Sequence, residues 1–259
     1  MKTDRRRPRN LAYTPHLVTY LDILGFRDLI AEESPNLISR AIRKVIEATA
    51  PKHPDAKRFK ENYVNFSDLI VHTVPVNSKA NVRTRIGLVY GRVVDLLEAQ
   101  VALIQEGLLV RGALTLGPME RSYKVLFGPG LIEAYDLERT KARFPRIVLD
   151  PFLLRELKTN PILRRHRYRE EMRFLSPLLK TDEDGYVFID YLRGLRGERE
   201  SSDYFRFLKI HRDLVTRGLA EFRRDRDVLP KYGWLKRYHN EAVTALIPED
   251  IRTRYLIRT

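Results

Sequence analysis

Two aspartates carry the strongest chemical signal in the sequence. Asp22 interrupts the apolar run at residues 17–24, and Asp68 follows Ser67 at the tip of a predicted hairpin. A carboxylate inside so apolar a strand costs free energy unless another group compensates it. Two oxygen ligands at one edge of a sheet suit Mg²⁺ or Mn²⁺ shared with substrate phosphates. Each aspartate alone is more typical of a turn or cap, but the pair favours a metal site.

The elements that must position this pair begin with a strand over residues 17–24, which is rich in β-forming residues and ends at Gly25. Residues 26–50 have helical spacing, with Ser34-Pro35 at the start of a second helix. Residues 63–76 predict a hairpin that turns at Ser67-Asp68. We further expect a long helix over 83–106, a strand over 108–116, a short strand at 125–127, a helix over 131–143 and a strand over 146–150.

This order predicts an α+β fold with a ferredoxin-like sheet, because strand, crossover helix, hairpin and second crossover follow one another. Such a sheet carries helices on one face and places the first strand beside the hairpin, so that Asp22 and Asp68 converge. We assign residues 16–150 to this domain, residues 1–15 to a flexible basic arm and residues 151–259 to a mainly helical extension packed on the domain. Within the extension we expect a strand over 185–192 and helices over 205–222 and 238–246.

Charge gives a second and weaker signal. The chain has 48 Lys+Arg and 34 Asp+Glu, a formal net charge of +14. Basic patches attract nucleic acid or a polyphosphate substrate. No aromatic or glycine-rich recognition motif accompanies them, so solvated surfaces are favoured and nucleic acid is an unfavoured partner. The two densest patches are Lys2, Arg5, Arg6, Arg7 and Arg9, and Arg164, Arg165, Arg167 and Arg169.

Composition excludes several other classes of protein. The chain has no cysteine, which removes disulfides, thiolate metal sites and a cysteine nucleophile. No apolar run approaches the roughly 20 residues of a membrane span, so we expect no membrane partner. The basic N-terminus leads into no long apolar segment, which argues against a secretory signal. We therefore expect a cytoplasmic protein.

Four motifs, in the expected order, resemble those of the class III nucleotide cyclases. They are YLDILGF at 20–26, like F-x-D-I-x-G-F; NFSDLIV at 65–71, like the second-metal hairpin; VRGALTLG at 110–117, like R-x-G-I-x-x-G; and GPGLIEAYDLE at 128–138, like G-x-x-V-N-x-A-x-R-x-E. Further segments resemble the pyrimidine cyclases of bacterial Pycsar antiphage defence. These are PRIVLD at 145–150, DGYVFIDYL at 184–192 and the W-L-x-x-Y-H-N run at 234–240.

The resemblance implies conversion of UTP to cyclic UMP and pyrophosphate in antiphage defence, with a separate downstream effector that senses the product. Cyclic CMP from CTP is the alternative. It also implies a homodimer and two divalent ions, Mn²⁺ or Mg²⁺, held by Asp22, Ile23 and Asp68. The N–H groups of residues 23–26 lie between strand and helix, where they are placed to bind the triphosphate. These substrate-binding candidates are Ile23, Leu24, Gly25 and Phe26, joined by Tyr135 as a candidate for contact with the base.

Two departures from the family pattern concern the base. Adenylate cyclases carry a lysine four positions before the second metal aspartate, and here that position is Val64. They carry Asp or Thr on the strand before the conserved helix, where this chain has Val125. Neither valine can hydrogen-bond a base edge. The purine reader is therefore missing, which argues against cyclic AMP without by itself demanding a pyrimidine.

Two further departures concern transition-state stabilisation. The family's asparagine aligns with Ile132, and its arginine aligns with Asp136, whose negative charge cannot stabilise the α-phosphate. Arg111 is the first candidate replacement, ahead of Arg27 and Arg121. A structural ion pair, for example with Glu133, is an equally weighted role for Arg111. The absence of the family's Asn and Arg also supports a non-catalytic cyclase-like domain. Asp22 and Asp68 argue against one, because a degenerate site has no need of two carboxylates whose placement costs free energy. A purine cyclase on the same fold and a nucleic-acid-binding protein complete the alternatives.

Overall fold

The structure, a computed structural model, describes residues 13–51, 59–122, 125–198 and 201–258. The strands are β1 (Thr14–Ile23), β2 (Asn62–Phe66), β3 (Leu69–Pro75), β4 (Val110–Ser122), β5 (Val125–Phe127), β6 (Ile147–Leu149), β7 (Leu179–Thr181) and β8 (Val187–Ile189). The helices are α1 (Phe26–Glu32), α2 (Pro35–Thr49), α3 (Lys79–Arg83), α4 (Leu88–Gln105), α5 (Pro129–Lys141), α6 (Pro151–Thr159), α7 (Tyr168–Leu175), α8 (Tyr191–Glu198), α9 (Ser201–Glu221), α10 (Leu229–Leu246) and α11 (Glu249–Arg252).

The sheet confirms the predicted fold class. Its strand order is β2-β3-β1-β4-β6-β8-β7, with β5 paired to β4. The first four strands are antiparallel neighbours in the ferredoxin-like order, with β1 between β3 and β4. The β7-β8 hairpin adds two strands from the C-terminal part, so the sheet runs through the expected boundary at residue 150. Most of the remaining C-terminal part is helical, as predicted.

The two faces of β1 are covered differently. Leu17 and Leu21 pack in the main core together with α4, whereas Val18 joins a small separate cluster with Met119 and Ala134. Because successive strand residues point to opposite faces, α5 covers the face away from α4. The expected single helix layer therefore holds for α4, and α5 is an exception to it.

Close backbone approach explains how α5 reaches this face. Gly117 lies in β4 and Gly130 lies in the first turn of α5. A Cβ atom added to Gly117 would lie 2.4 Å from the Gly130 Cα. Two glycines are therefore required where the helix crosses the strand.

The predicted helix over 83–106 is wrong in its first turn. The chain forms α3 and α4 instead, separated by residues 84–87. The Ser78 hydroxyl caps α3 by accepting the Asn81 N–H at 3.1 Å, and Gly87 precedes the first residue of α4. The predicted hairpin is confirmed, as is the helix start at Ser34, which accepts the Leu37 N–H at 3.4 Å.

Buried charge joins the extension to the sheet. The Arg146 guanidinium is fully buried, pairs with Asp182 and Asp184, and donates to the Lys141 carbonyl at 3.0 Å. The Trp234 indole N–H donates to Asp182 at 2.7 Å. Burial would raise the pKa of Asp184, but hydrogen bonds from Arg146 and from a backbone N–H outweigh it, so the pKa is lowered. We call Arg146, Asp182 and Asp184 the arginine anchor.

A second buried polar chain runs through the helices of the extension. His239 Nε2 lies 2.8 Å from the Tyr255 carbonyl, which can only accept, so this nitrogen carries the proton. His239 Nδ1 is then an acceptor for His211 Nδ1–H at 3.0 Å. His211 Nε2 accepts the Tyr191 hydroxyl at 2.8 Å. Burial lowers the pKa of both imidazoles, which favours their neutral forms, and in those forms the hydrogen bonds of this histidine chain run in one consistent direction.

The second predicted basic patch is partly committed to the fold. Arg164 donates to the Leu157 carbonyl at 3.0 Å, and Arg165 donates to the Asn81 and Val82 carbonyls at 2.7 and 3.2 Å. The first patch lies outside the described residues. Among the described residues, no helix is both long enough and apolar enough to cross a bilayer.

Candidate active site

Asp22 lies near the end of β1, directly opposite Arg111 of β4 in the strand register. The Arg111 Nε and Nη2 atoms each lie 2.9 Å from Asp22 Oδ2. About a quarter of each side chain is exposed, 23% for Asp22 and 26% for Arg111. The pairing follows from strand register, because directly opposed side chains in an antiparallel pair contact one another.

Asp68 reaches the same place from the β2-β3 turn. Ser67 has a left-handed backbone with φ 59°, and the Asn65 amide donates to the Ser67 and Leu69 carbonyls at 3.3 and 3.4 Å, which closes the turn. Burial raises the pKa of Asp22 against the lowering effect of Arg111. Asp68 raises it further through its charge and through a side-chain hydrogen bond. The structure thus brings the two predicted aspartates together.

Glu138 of α5 is a site residue that sequence reasoning missed. Its Oε1 atom lies 2.8 Å from Arg111 Nε, and the residue is only 3% exposed. Burial raises the pKa of Glu138 to about 7 in spite of Arg111, and Asp22 adds to the increase. The sequence did contain a signal, since Glu138 is the final residue of the motif at 128–138, but the motif alone assigned no catalytic or binding role to it.

The predicted ion pair between Arg111 and Glu133 is wrong, and Asp22 and Glu138 are the partners instead. Glu133 is exposed. At about 100° per residue, positions 133 and 138 lie on different sides of the helix. Helical geometry therefore selects Glu138 once α5 packs against β1 and β4.

We call Asp22, Asp68, Glu138 and Arg111 the carboxylate cluster. Its positive and negative charges do not balance. Three carboxylates, those of Asp22, Asp68 and Glu138, face one guanidinium, that of Arg111. The formal sum is −3 + 1 = −2 when all three are ionised. Burial raises the pKa of the neighbouring Tyr20 to about 12, with further increases from Glu138 and Asp22. Asp22, Glu138 and Tyr20 are thus each disfavoured in the anionic form, first by burial and then by the neighbouring negative charge.

The donor set fits a hard divalent cation. Asp22 and Asp68 supply carboxylate oxygens, which Mg²⁺ and Mn²⁺ prefer. Within the described ranges no group of three or more His, Cys, Asp or Glu side chains surrounds one point. The protein's side chains could therefore supply only part of a coordination shell. The Ile23 side chain is 4% exposed in the core, so Ile23 could offer only its main chain.

The loop after β1 shows which amides are free to bind a ligand. The Leu24 N–H donates to the Leu109 carbonyl at 2.9 Å, so it is already engaged. Gly25 has φ 76°, a conformation that favours glycine, and begins α1. Phe26 is buried by its side chain. The triphosphate-binding role stays a prediction for Ile23, Gly25 and Phe26.

Tyr135 lies beside the carboxylates on the same face. Its ring packs edge-on against Tyr20, with centroids 5.8 Å apart, and is 43% exposed. The Arg139 guanidinium lies 5.9 Å from its centroid. Tyr135 therefore combines a packing contact with an open ring surface, which leaves both of its predicted roles standing.

The positions that depart from the cyclase pattern lie on the surface of the protein. Val64, Val125 and Ile132 are 45%, 54% and 64% exposed. Asp136 is exposed as well. Val125 pairs with Ser122 at the end of β4 that lies away from Arg111, so it lies far from the cluster.

Comparisons with known proteins give resemblance in structure only. No protein-family model and no curated protein matches the sequence. The monomeric guanylyl cyclase domain of the RhoGC fusion protein from the aquatic fungus Blastocladiella emersonii is 14% identical, with a TM-score of 0.42, over 69% of this chain and 95% of that one. The guanylyl cyclase Cya2 is 15% identical, with a TM-score of 0.42, over 55% and 78%.

A class III adenylyl cyclase-like ATP-binding protein from Pseudomonas aeruginosa is 13% identical, with a TM-score of 0.42, over 63% of this chain and 40% of that one. Identities and scores of this size do not establish an activity for this chain.

Proposed function

We propose that this protein is a divalent-cation-dependent nucleotide cyclase that converts a pyrimidine ribonucleoside triphosphate, UTP before CTP, to its 3′,5′-cyclic monophosphate. The observation that carries the proposal is the charge of the cluster. Two aspartates from distant parts of the chain converge, and with Glu138 they exceed the single Arg111 by two negative charges when all three are ionised. A bound divalent ion would compensate that difference.

The reaction assigns a task to each side chain. The ribose 3′-oxygen attacks the α-phosphorus in line, the bond to the β-phosphate oxygen breaks, and pyrophosphate leaves while the hydroxyl proton is lost. Asp22, Asp68 and the Ile23 carbonyl would hold two ions, Mn²⁺ or Mg²⁺, which lower the hydroxyl pKa and neutralise phosphate charge. Arg111, once it releases Asp22, is the one guanidinium of the cluster able to face the α-phosphate.

A pyrimidine substrate is supported by what the purine-reading positions lack. Val64 and Val125 offer no side-chain hydrogen-bonding group, and both are exposed. A smaller base that stacks on an aromatic ring needs no such reader. Tyr135 presents an open ring face beside Asp22 and Glu138 and is the candidate contact.

A homodimer is supported by exposed apolar side chains on the α5 side of the sheet. Phe66 is 76% exposed and Ile132 is 64% exposed, and Tyr135 of α5 is also exposed. Exposed apolar groups that gather beside a site are typical of a protein-protein contact. Association through this face would close the cluster from solvent, and we propose that it does so in the active enzyme.

The resemblance to Pycsar cyclases supports the biological setting. We propose that the product acts in the cytoplasm as a second messenger of antiphage defence, sensed by a separate effector protein. The geometry of the site does not bear on this part of the proposal, which requires a cellular test with and without phage.

The activity is tested by incubating the purified protein with each of the four labelled ribonucleoside triphosphates and Mn²⁺, followed by chromatography of the products. We expect cyclic UMP and pyrophosphate, less cyclic CMP, and no cyclic purine nucleotide. Asp22→Ala and Asp68→Ala should yield none, with unchanged folding by circular dichroism. Full turnover in either variant would remove the two-carboxylate mechanism.

A non-catalytic cyclase-like domain is the second candidate function. It is favoured by the direct pairing of Arg111 with Asp22, which occupies a ligand oxygen, and by Ile132 and Asp136 at the family's Asn and Arg positions. Absence of any cyclic product from a protein that still binds Mn²⁺ would select this candidate over the enzyme.

A further inference from the structure

The second basic patch of the sequence extends beyond its own segment of the chain. The Arg165 guanidinium donates to two main-chain carbonyls of α3, at 2.7 and 3.2 Å, and holds residues 79–87 beside residues 164–174. Arg83 and Arg85 of the first segment therefore join the patch. Neither the cyclase reaction nor the dimer proposed above uses this part of the molecule.

Buried hydrogen bonds fix the shape of this surface. Glu171 of α7 is only 2% exposed, and its Oε2 atom accepts the main-chain N–H groups of Arg165 and His166 at 3.1 Å each. The same carboxylate lies so close to Gly87 that a Cβ atom there would collide with it. The loop before α7 and the loop before α4 are thus held together, and the side chains that they carry keep a defined arrangement.

Five exposed arginines of this surface lack an acidic partner. Within the described part of the chain none of them takes part in an ion pair, and Glu170 is the one exposed carboxylate in the two segments. Arg169 and Arg173 lie one turn apart on α7, where like charges repel each other. An anionic partner would relieve that repulsion. The five residues are Arg83, Arg85, Arg167, Arg169 and Arg173.

Three aromatic rings lie beside these arginines. Phe174 is 54% exposed, and its ring centroid lies 5.7 Å from that of His166 and 6.3 Å from that of Tyr90. Together with Arg85 the rings line a depression of about 240 Å³. This is smaller than the roughly 300–1,000 Å³ of a drug-sized site, so it suits one part of a larger ligand. We call the five arginines and these three rings the α7 surface.

The combination of arginine and aromatic side chains favours one chemical class of partner. A guanidinium binds phosphate oxygens in a bidentate manner, and a base stacks on an exposed ring whatever its sequence. A duplex keeps its base faces stacked inside, so a single strand is favoured. Anionic lipid would be attracted by the same charges, but rings that line a depression are better placed for an inserted base than for a flat bilayer.

We propose that the α7 surface binds single-stranded nucleic acid, with backbone phosphates on the arginines and one base against Phe174. Local sequence shows no recognition motif here, because Tyr90 comes from α4 and joins the patch only in the fold. The surface lies on the α4 side of the sheet, since Tyr168 and Met172 of α7 pack on the same core as α4. The proposal does not depend on the cyclase activity.

Fluorescence anisotropy with labelled oligothymidine and oligouridine of about 20 nucleotides tests the proposal. We expect saturable binding of at least one of them by the wild-type protein, weakened as salt is raised from about 50 to 200 mM. The triple variant Arg167→Gln/Arg169→Gln/Arg173→Gln should bind roughly ten-fold more weakly or worse. The slope of log K against log salt should become shallower by about 2, since each phosphate contact contributes about 0.7.

The matched control changes the same charge elsewhere. Arg223→Gln/Arg224→Gln/Arg226→Gln removes three exposed arginines between α9 and α10 and should leave both the affinity and the salt slope unchanged. Equal losses in the two triple variants would mean that net charge alone attracts the oligonucleotide, and would overturn the proposal.

Phe174→Leu isolates the base contact, because it keeps an apolar side chain and removes the ring. It should weaken binding about five-fold or more while the salt slope stays the same. Phe127→Leu, at an exposed position in β5, is the control and should change neither. Unchanged affinity in Phe174→Leu would overturn the proposed base contact.

Two further outcomes would overturn the proposal as a whole. One is tighter binding of a duplex of the same length, or no binding of either oligonucleotide at low salt. The other is binding of vesicles made of phosphatidylserine and phosphatidylcholine in equal parts without binding of the oligonucleotides, which would identify the α7 surface as a membrane contact.

Discussion

Arg146 and Arg111 each pair with carboxylates, but their surroundings have opposite electrostatic character. In the arginine anchor, one guanidinium meets Asp182 and Asp184, Trp234 adds a donor, and the pKa of Asp184 is lowered. In the carboxylate cluster, one guanidinium contacts Asp22 and Glu138, Asp68 adds a third carboxylate beside Asp22, and the pKa values of Asp22 and Glu138 are raised. Because Arg237 also pairs with Asp182, two guanidinium groups face the two aspartates of the anchor, whereas the cluster retains negative charge when its carboxylates are ionised. An ion pair found by distance alone would not distinguish structure from function.

The largest expected effect concerns the anchor. Arg146→Met should lower the free energy of unfolding by about 3–5 kcal/mol, because it leaves buried carboxylates without their cation. Arg237→Met is the matched control: Arg237 pairs with the same Asp182 at 3.4 Å but is 41% exposed, and its loss should cost less than about 1 kcal/mol. Urea unfolding measures both. Equal losses would contradict the assignment of Arg146 as the anchor.

The stability contributed by the histidine chain of the extension and that contributed by Glu138 of the carboxylate cluster should change in opposite directions as the pH falls. Burial lowers the pKa of His239 to about 4 and lowers that of His211 well below its ordinary value. Stability from the histidine chain is therefore present above pH 6.5 and lost as pH falls towards 4, by about 3 kcal/mol for His239 alone at 1.4 kcal/mol per pKa unit.

Glu138 has the opposite sign, because its folded pKa of about 7 lies above its ordinary value of 4.5. The stability it contributes is present below pH 4.5 and lost as pH rises through 7, by about 3 kcal/mol at most. The free energy of unfolding, measured from pH 8 down to pH 4, should therefore fall more steeply in Glu138→Gln than in the wild type. In His239→Gln it should fall less steeply than in the wild type. Parallel pH profiles in the two variants would refute this contrast.

Removing one carboxylate should stabilise the protein without metal. Asp68→Asn relieves the repulsion on Asp22 while keeping the pair with Arg111, and should raise the free energy of unfolding by on the order of 1 kcal/mol. The same variant should make no cyclic product. Such opposite effects on stability and activity are typical of functional sites. Asp28→Asn, at an exposed position in α1, controls for the change in net charge. A destabilised Asp68→Asn variant would indicate a structural role for this carboxylate.

The smallest effect concerns two glycines. Gly25→Ala should cost about 1 kcal/mol, because Gly25 holds φ 76° in the loop beside Asp22. Gly197→Ala, in α8, meets nothing within 4 Å and should gain up to about 1 kcal/mol. Thermal unfolding of both variants compares loop strain near the cluster with an ordinary helix in the extension. A stabilised Gly25→Ala variant would show that the loop is not strained.

Local pattern sufficed for the first half of the fold and for two of the site residues. Strand order, the hairpin at Ser67-Asp68 and the convergence of Asp22 with Asp68 all follow from period and turn chemistry, which are local properties. Glu138 could not be found in this way, because its role depends on how α5 lies across β4. That placement rests on the contact between Gly117 and Gly130, which are 13 residues apart in the sequence.

The extension was harder to predict for the same physical reason. Helices α6, α7 and α8 are short, and tertiary contacts, more than helical periodicity, hold them in place. In the sequence, Arg146 was only the first, polar residue of the strand predicted over 146–150. Its partners lie 36 and 38 residues further along the chain, in the turn between β7 and β8. Their pairing with Arg146 depends on the addition of this hairpin to the sheet, which the local sequence does not predict.

The central claim is that the carboxylate cluster binds a divalent cation, and a titration with Mn²⁺ followed by electron paramagnetic resonance tests it most directly. We predict saturable binding to the wild type, weakened at least ten-fold in both Asp22→Asn and Asp68→Asn and unchanged in Asp182→Asn, which alters the arginine anchor. Binding of equal strength in the wild type and in both site variants, or no binding to the wild type, would contradict the account.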